Sequence, residues 1–291
     1  MFFIFRLFFP RFPHGACHNL HCAAHFRKNP VEYEIYAIRY AASDRLRSEN
    51  FVGGDPHDGP MPLDYFVWLL KSPARNILVD TGFNAATAKA RNRNLLRCPI
   101  EALNVLGVKP ESIEDVVITH LHYDHAGNLT KLPNARFHIQ DAEVEYATGR
   151  CMCHVPLRHA YSVEDIVDLM RKVYADRVVF HAGDAQIAPG VELVHIGGHT
   201  KGMQSLIVNT ARGPVVLASD ASHFYEHHET GRPFVIVYNQ GDMLEGHRRL
   251  NAIAQSPQHI VPGHDPLVMA RYPNVPGDEI GIAMLHLAPS E

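Results

Sequence analysis

The chain of 291 residues carries 27 lysines and arginines against 31 aspartates and glutamates, a formal net charge of −4. This weak field excludes a dedicated binder of polyanions, and we expect no nucleic-acid or membrane partner. A composition of 46% hydrophobic and 20% charged residues is typical of a globular protein and excludes disorder for most of the chain. Histidine occurs 21 times, and because imidazole is the commonest metal ligand, a metal site is the first expectation.

The N-terminal segment differs from the rest of the sequence. Its apolar opening is interrupted by Arg6 and closed by Pro10, far short of the roughly 20 residues that a membrane-spanning helix needs. It also lacks the charged start and the clear cleavage site of a secretory signal. Regular strand patterning begins only near Val31. We therefore predict that residues 1–30 are a disordered or artefactual extension and that residues 31–291 form a single domain.

Cysteine usage indicates the cellular compartment. The five cysteines fall into two close groups and one single residue. An odd number with this spacing is not typical of a disulfide scaffold. We therefore expect a reducing compartment and a cytoplasmic location.

From Val31 onward, runs of β-branched and aromatic residues bounded by Gly, Pro and Asp predict strands. In chain order these are Val31–Tyr40, Leu63–Leu70, Asn76–Asp80, Asp115–Thr119, Ala135–Ile139, Val178–His181, Val191–Ile196, Ser205–Asn209, Val215–Ala218 and His259–Val261. The predicted helices are Ile100–Leu106, Ala142–Thr148, Val163–Tyr174 and Met243–Ala254. Strands that alternate with helices along the whole chain favour a layered α/β fold.

The predicted strand Asp115–Thr119 runs into a segment that is dense in metal-binding groups. His120, His122, Asp124 and His125 place three imidazoles and one carboxylate within six positions. In an extended segment His120 and His122 point to the same side. A turn into a helix would bring the other two to the same cavity, aimed at a second point. This pattern suits two metal ions.

Three further residues with the same chemistry follow later strands. His199 comes directly after Gly197-Gly198, Asp220 ends an apolar strand, and His264 follows Gly263. Glycine allows a close approach of the backbone at such turns. Any one of the three alone would be an ordinary turn or core residue, but together with the first motif they extend a candidate metal site.

In this order, the H-x-H-x-D-H motif, the Gly-His, the Asp and the late Gly-His resemble the metallo-β-lactamase superfamily over about residues 31–275. The resemblance implies an α/β fold, a four-layer αββα sandwich with the metals at one edge of a central cleft. It implies that Asp220 bridges two metals, and that Asp80 orients the ligand loop. The implied ligands of the first metal are His120, His122 and His199, and those of the second are Asp124, His125 and His264.

A carboxylate at Asp220 resembles the thioesterases of the glyoxalase II type, the phosphodiesterases and the N-acyl homoserine lactone lactonases of this superfamily. Tyr123 and the stretches 199–205 and 219–222 look most like the lactonases. One departure stands out, because those lactonases commonly carry a tyrosine three residues after the bridging Asp, where this chain has His223. Either His223 or the nearby Tyr225 is then expected to contact the substrate, or the substrate differs from that of those lactonases.

The resemblance therefore implies a dinuclear metal-dependent hydrolase that opens a lactone of the N-acyl homoserine type, by attack of a hydroxide shared by the two metals. Asp124 would move the proton to the leaving oxygen. Zn²⁺ is the expected metal, with Fe, Mn and Co as alternatives that the same ligands suit. The expected partner is a small-molecule ester or lactone, and the sequence leaves a homodimer open.

Two other functions stay open from the sequence. The first is thioester or phosphodiester hydrolysis on the same fold, although a phosphodiesterase would be expected to show a basic rim, which the segment 223–228 does not offer. The second is a protein that binds metal without turnover. Substrate selection is expected from residues 44–62, 151–161 and 223–238. Candidate apolar wall residues are Phe51, Met61 and Phe66, a residue type that is also typical of the core.

Overall fold

The computed structural model describes residues 31–290, and the prediction for residues 1–30 lies outside the described residues. In this range thirteen strands form two sheets. The strands are β1 (Glu34–Ser43), β2 (Leu63–Lys71), β3 (Asn76–Val79), β4 (Asn94–Leu95), β5 (Asp115–Val117), β6 (Arg136–Gln140), β7 (Val178–His181), β8 (Ala185–Ala188), β9 (Val191–His195), β10 (Gln204–Thr210), β11 (Gly213–Ser219), β12 (Ile260–Pro262) and β13 (Ile282–Met284). The first sheet has the order β13-β1-β2-β3-β5-β6-β7 with β4 beside β1, and the second has the order β12-β11-β10-β9-β8.

The α-helices of the described chain lie between these strands. They are α1 (Ala85–Ala90), α2 (Asp141–Thr148), α3 (Val155–Arg158), α4 (Val163–Val173), α5 (Tyr225–Thr230), α6 (Gln240–Ile253) and α7 (Leu267–Arg271). None of the helices within residues 31–290 combines the length and the apolar character that crossing a membrane requires.

Alternating side chains of β2 show how the layers pack. One set lies in the core between the two sheets, and it consists of Phe66, Trp68 and Leu70. The other set lies on the outer face of the first sheet, and it consists of Tyr65, Val67 and Leu69. That outer face is covered by α2 and α4, which contribute Tyr146 and Leu169. Both faces of the first sheet are therefore buried.

The second sheet is covered in the same way on its outer side. Leu250 of α6 packs there against Val216 and Ala218 of β11 and Ile260 of β12. The order of layers is helices, sheet, sheet, helix. The predicted α/β fold and its αββα sandwich are confirmed.

Several predicted elements differ in detail. The helix predicted at Ile100–Leu106 is a 3₁₀ helix at Glu101–Leu106, which ends at Gly107 with φ +70°. The strand predicted at Asp115–Thr119 ends at Val117, because Thr119 turns out of the sheet toward Asp80. Sequence patterning also missed β13, which pairs antiparallel with β1. Its three residues are too few to show a period.

Two parallel strand pairs fix the position of the predicted site. β3 pairs with β5 in the first sheet, and β11 pairs with β12 in the second. The carboxyl ends of parallel strands meet at one edge of a sheet. Each of these four strands is followed by a segment of the site: Asp80 after β3, the motif beginning at His120 after β5, Asp220 after β11 and His264 after β12. All four segments therefore reach the same end of the sandwich.

Candidate metal centre

Three imidazoles converge at the edge where these strands end. Nε2 of His120 lies 3.0 Å from Nδ1 of His122 and 3.2 Å from Nε2 of His199, and the last two atoms are 2.9 Å apart. All three residues are buried. A tetrahedral Zn²⁺ with Zn–N bonds of about 2.0–2.1 Å would separate its nitrogen ligands by about 3.3 Å. The triangle is thus of the size that one metal ion needs.

Asp220 joins this triangle to a second group. Its Oδ2 atom lies 3.4 Å from Nε2 of His199 and 3.8 Å from Nε2 of His120. Its Oδ1 atom lies 3.1 Å from Nε2 of His264 and 3.4 Å from Nε2 of His125. One carboxylate therefore faces both groups of imidazoles.

Asp124 completes the second group from the pocket side. Its Oδ2 atom is 3.8 Å from Nε2 of both His125 and His264. Potential ligand atoms of Asp124, His125 and His264 all lie within 4.8 Å of one another, as do those of His120, His122 and His199. The structure brings together all seven residues that the sequence analysis named as metal ligands.

Two histidines of the cluster are held by backbone carbonyl oxygens, and these contacts determine which ring nitrogen has a free lone pair. Nδ1 of His199 donates to the carbonyl oxygen of Ile236 at 2.7 Å, and Nδ1 of His264 donates to that of Asp64 at 2.8 Å. A carbonyl oxygen only accepts, so each ring carries its proton on Nδ1 and turns a bare Nε2 toward the cluster. Ligand histidines in metal sites are held in this way.

The cluster also contains buried polar atoms without a hydrogen-bond partner. Within the described chain, Nε2 of His125 and Oδ1 of Asp220 are two of them. Such atoms are costly unless something compensates them. Converging lone pairs and carboxylate oxygens are compensated by a cation, so the residues present fit divalent metal ions.

Electrostatics agree with this reading at His120, His122 and Asp220. Burial, reinforced by the neighbouring imidazoles, holds the pKa of His120 and of His122 well below the ordinary value. Burial raises the pKa of Asp220, but the surrounding imidazoles, His264 first, outweigh burial and hold it well below its usual range. Neutral imidazole and charged carboxylate are the forms that bind metal. Burial lowers the pKa of His125 and of His264, but the nearby carboxylates, Asp220 first, outweigh burial and raise both pKa values, so a metal ion bound there would displace a proton.

Unusual backbone geometry positions the two central carboxylates. Asp80 has φ +61° and Ser219, which precedes Asp220, has φ +47°. Strain of this kind persists only where surrounding structure fixes it. Gly263 allows a close approach, because a Cβ atom there would lie 2.6 Å from Oδ1 of Asp220. Residues after β11 and β12 can therefore place Asp220 beside His264.

The two candidate substrate contacts have different surroundings. His223 lines the pocket at the cluster, with Nε2 2.9 Å from Oδ2 of Asp220 and its ring stacked on Phe234 at 3.7 Å between centroids. Tyr225 lies instead in the core between the sheets, under the guanidinium of Arg271 at 3.9 Å. The structure does not bring Tyr225 to the cluster, because the turn after Asp220 directs the first residue of α5 into the core.

Glu143 is a site residue that the sequence analysis missed. Its carboxylate is fully buried, and Oε1 accepts hydrogen bonds from Leu121 N at 2.9 Å and Tyr161 OH at 3.0 Å. Oε2 accepts from Thr200 Oγ1 at 2.6 Å and Gly202 N at 3.1 Å. One side chain thus ties the His120–His125 segment to the segment that follows His199. The only sequence signal is an acidic residue on the buried side of a short helix.

A narrow pocket of about 70 Å³ opens onto the cluster. Side chains that line it besides the cluster include those of Arg45, Leu63, Tyr65, Arg91, Arg93, Tyr123, His159 and Ile236. The expected apolar walls lie elsewhere. Phe66 packs between the sheets, Phe51 is buried under the guanidinium of Arg232, and Met61 packs against the core on the outer face of the first sheet. These expectations were wrong, because Phe51 and Phe66 fill the protein interior and the half-buried Met61 packs against the core rather than the narrow pocket.

Comparison with known proteins identifies the family. The sequence profile of the metallo-beta-lactamase superfamily matches residues 61–264. The chain is 31% identical to an N-acyl homoserine lactonase of a Bacillus species and 30% identical to that of Bacillus cereus, in both cases over 70% of this chain and 82% of the relative. The solved structure of a quorum-quenching N-acyl homoserine lactone lactonase superposes with a TM-score of 0.69 at 26% identity, covering 83% of this chain and 95% of that one. The chain belongs to the metallo-beta-lactamase superfamily.

Proposed function

We propose that this metal-dependent hydrolase opens the ring of a lactone of the N-acyl homoserine type. The observation that carries the proposal is the convergence of seven buried ligand groups in a chain about 30% identical to N-acyl homoserine lactonases. The match covers 82% of the relatives' length, and the family profile spans residues 61–264, which include every segment of the cluster.

In this proposal the seven residues hold two divalent ions. His120, His122 and His199 would hold one, Asp124, His125 and His264 the other, and Asp220 would lie between them. Bound there, the ions would polarise the ester carbonyl and lower the pKa of a water molecule toward 7. Zn²⁺ is the metal we favour, because it accepts mixed imidazole and carboxylate ligands, and a dizinc lactonase shares the fold at a TM-score of 0.62.

Two side chains would act on the substrate directly. Asp124 lines the pocket and lies farther from its histidine neighbours than Asp220 does, so its carboxylate is the group we assign to carrying the proton toward the leaving oxygen. His223 also lines the pocket. Burial holds its pKa well below the ordinary value, so it would meet the substrate as a neutral hydrogen-bonding group.

A larger cavity beside the pocket supports the part of the proposal in which the lactone carries an acyl substituent. It has a volume of about 620 Å³ and shares His159 with the narrow pocket. This volume is in the range of small-molecule sites. Its apolar lining includes Ala147, Met152, Val155, Val163, Ile166 and Val167. Tyr161 lines the cavity and also contacts the His122 ring at 4.6 Å between centroids, so an acyl chain could lie there while the lactone is at the cluster.

One observation favours phosphodiester hydrolysis as a second candidate. Arg45, Arg91 and Arg93 line the pocket, although Arg91 already donates to two backbone carbonyl oxygens and the segment 223–228 suggested that a basic rim is missing. Guanidinium groups suit phosphate oxygens. The basic residues come from segments before and after α1, which is why the sequence did not place them at the site.

The test is a substrate panel with the purified, zinc-loaded protein. We expect rapid hydrolysis of N-hexanoyl homoserine lactone, and slow hydrolysis of a glutathione thioester and of bis(p-nitrophenyl) phosphate. Rapid cleavage of either of the other two with an inert lactone would contradict the proposal. Bound metal without turnover of any substrate would indicate a metal-binding protein instead.

A further inference from the structure

Two buried tyrosine hydroxyls and a guanidinium group meet beside Asp124. The hydroxyl oxygens of Tyr65 and Tyr123 are 3.4 Å apart, and Nε of Arg93 donates to the Tyr123 hydroxyl at 3.0 Å. Both tyrosines are buried, and all three side chains line the pocket that opens onto the cluster. They form a polar wall next to the proposed metal ligands.

A second guanidinium group, that of Arg45, faces the same wall. Arg45, Arg93 and Tyr65 line the same pocket. Burial and the charge of Asp124 raise the pKa of the Tyr65 hydroxyl, while the charges of Arg93 and Arg45 lower it. The positive charges of Arg93 and Arg45 therefore both act on the Tyr65 hydroxyl. Arg45 reaches the wall from the segment after β1, and Arg93 reaches it from the turn after α1.

The two guanidinium groups have few partners of their own. Among residues 31–290, the hydrogen bond of Arg45 goes to the Asn50 amide at 3.3 Å, that of Arg93 goes to Tyr123, and neither forms an ion pair with a carboxylate. Arg91 differs, because it donates to the carbonyl oxygens of His159 and Tyr161. Its role is to hold that segment in place.

The carboxylates that face this wall are those of Asp124 and Asp220, and both belong to the proposed metal ligand set. With the acids committed to metal, the guanidinium groups are free for another anion. Arginine binds carboxylates through charge-assisted hydrogen bonds, and phenol hydroxyls add further donors.

We propose that Arg93, Arg45, Tyr65 and Tyr123 form an oxyanion site that binds a carboxylate of the ligand. The inference rests on the proposed function and adds to it a preference for ligands that carry a carboxylate. That carboxylate has two sources: an acid group already present on the acyl part of the substrate, or the acid that ring opening creates from the lactone. We expect the first.

Binding to the zinc-loaded protein tests the site without turnover. Calorimetry compares N-glutaryl homoserine lactam, which carries an acyl carboxylate and has no ester, with its primary amide. It also compares ring-opened N-hexanoyl homoserine with its primary amide. We expect the glutaryl acid to bind about tenfold more tightly than the glutaryl amide, and Arg93→Gln to remove most of that difference.

Matched variants separate a binding role from a structural one. Arg45→Gln should reduce the acid preference less than Arg93→Gln, and it provides an independent answer if the latter variant fails to fold. Arg248→Gln is the control, because that arginine is 79% exposed on α6, and it should change no affinity. Tyr65→Phe should lower the affinity for the glutaryl acid and not for the glutaryl amide.

The outcomes are distinct. An arginine-dependent preference in the glutaryl pair supports the site with a substrate acid, and one confined to the ring-opened pair supports the site with a product acid. Equal affinities in both pairs, or an equal loss of acid and neutral ligand in Arg93→Gln, overturn it. Hydrolysis of neutral N-hexanoyl homoserine lactone is scored separately, so failure of the lactonase proposal and failure of the oxyanion site are told apart.

Discussion

Nδ1 of His125 lies 2.7 Å from Oδ2 of Asp80, and both side chains are buried. The same carboxylate accepts hydrogen bonds from Thr119 N at 2.7 Å and Thr119 Oγ1 at 2.8 Å. Asp80 therefore fixes the first residues after β5 and also sets the orientation of the His125 ring. This is the role that the sequence resemblance implied for Asp80.

Asp80→Asn tests that role. The amide keeps the shape but presents one acceptor in place of two, so either Thr119 or His125 loses its partner. We expect metal affinity to fall about 10- to 100-fold, measured by competition with a chromophoric chelator. Asp168→Asn is the control, because Asp168 pairs with Arg171 at the surface of α4, and it should leave affinity unchanged. Equal affinities for wild type and Asp80→Asn would show that the contact orients nothing.

Glu143→Gln should weaken the link between the two ligand segments. The carboxylate accepts four hydrogen bonds, and an amide cannot accept all of them, so buried donors are left unpaired. We expect unfolding free energy to fall by about 2 kcal/mol or more and metal content to fall with it, measured by denaturant titration and elemental analysis. Glu145→Gln, on the same helix but 67% exposed, should do neither. A loss of similar size in both variants would refute the role of Glu143.

Gly263→Ala should damage the cluster through a single methyl group. The new Cβ atom would lie 2.6 Å from Oδ1 of Asp220 and 2.8 Å from the backbone of Ser219, so the strand ends must move apart. We expect a large loss of metal content and of lactone hydrolysis. Gly59→Ala meets no atom within 4 Å and should behave as wild type. Full activity in Gly263→Ala would mean that the close approach is unnecessary.

Two buried histidines outside the cluster predict acid sensitivity. Burial lowers the pKa of His228 and of His247 from 6.5 to about 4. The unfolded chain then binds more protons between these values, so stability is fully present above about pH 6.5 and declines as pH falls toward 4, by at most about 3 kcal/mol for each group.

His247→Gln should flatten that decline, as measured by chemical denaturation at pH 7, 5.5 and 4.5. The control is His57→Gln, because the His57 side chain is 92% exposed and its removal should leave the slope unchanged. If the wild type and His247→Gln lose stability in parallel on acidification, His247 is not a source of the acid sensitivity.

The layered fold and the ligand set were accessible from the sequence for a physical reason. The strands that precede these ligands are mostly apolar and buried, and the ligands begin within three positions of the strand ends, so local pattern and site position coincide at His120–His125 and at Asp220. A turn, by contrast, decides where a neighbouring side chain points. His223 stands three positions after Asp220 and Tyr225 stands five positions after it, yet His223 faces the pocket and Tyr225 faces the core.

The residues that surround the cluster could not be predicted in the same way. Glu143 and Arg93 reach it from helix and turn segments that lie far away along the chain, and nothing in their local sequence indicates that direction. Phe66 illustrates the reverse case. Phe66, an aromatic residue within an apolar run, was a candidate pocket wall, but the alternation of β2 places it between the sheets.

The most direct test of the account is the metal content of the purified protein by elemental mass spectrometry, in parallel with hydrolysis of N-hexanoyl homoserine lactone. We predict two divalent ions per chain in the wild type and in His57→Gln, and a clear loss of metal and activity in both His122→Ala and His264→Ala. Unchanged metal content in His122→Ala and His264→Ala, or a wild type that binds no metal, would contradict the central claim.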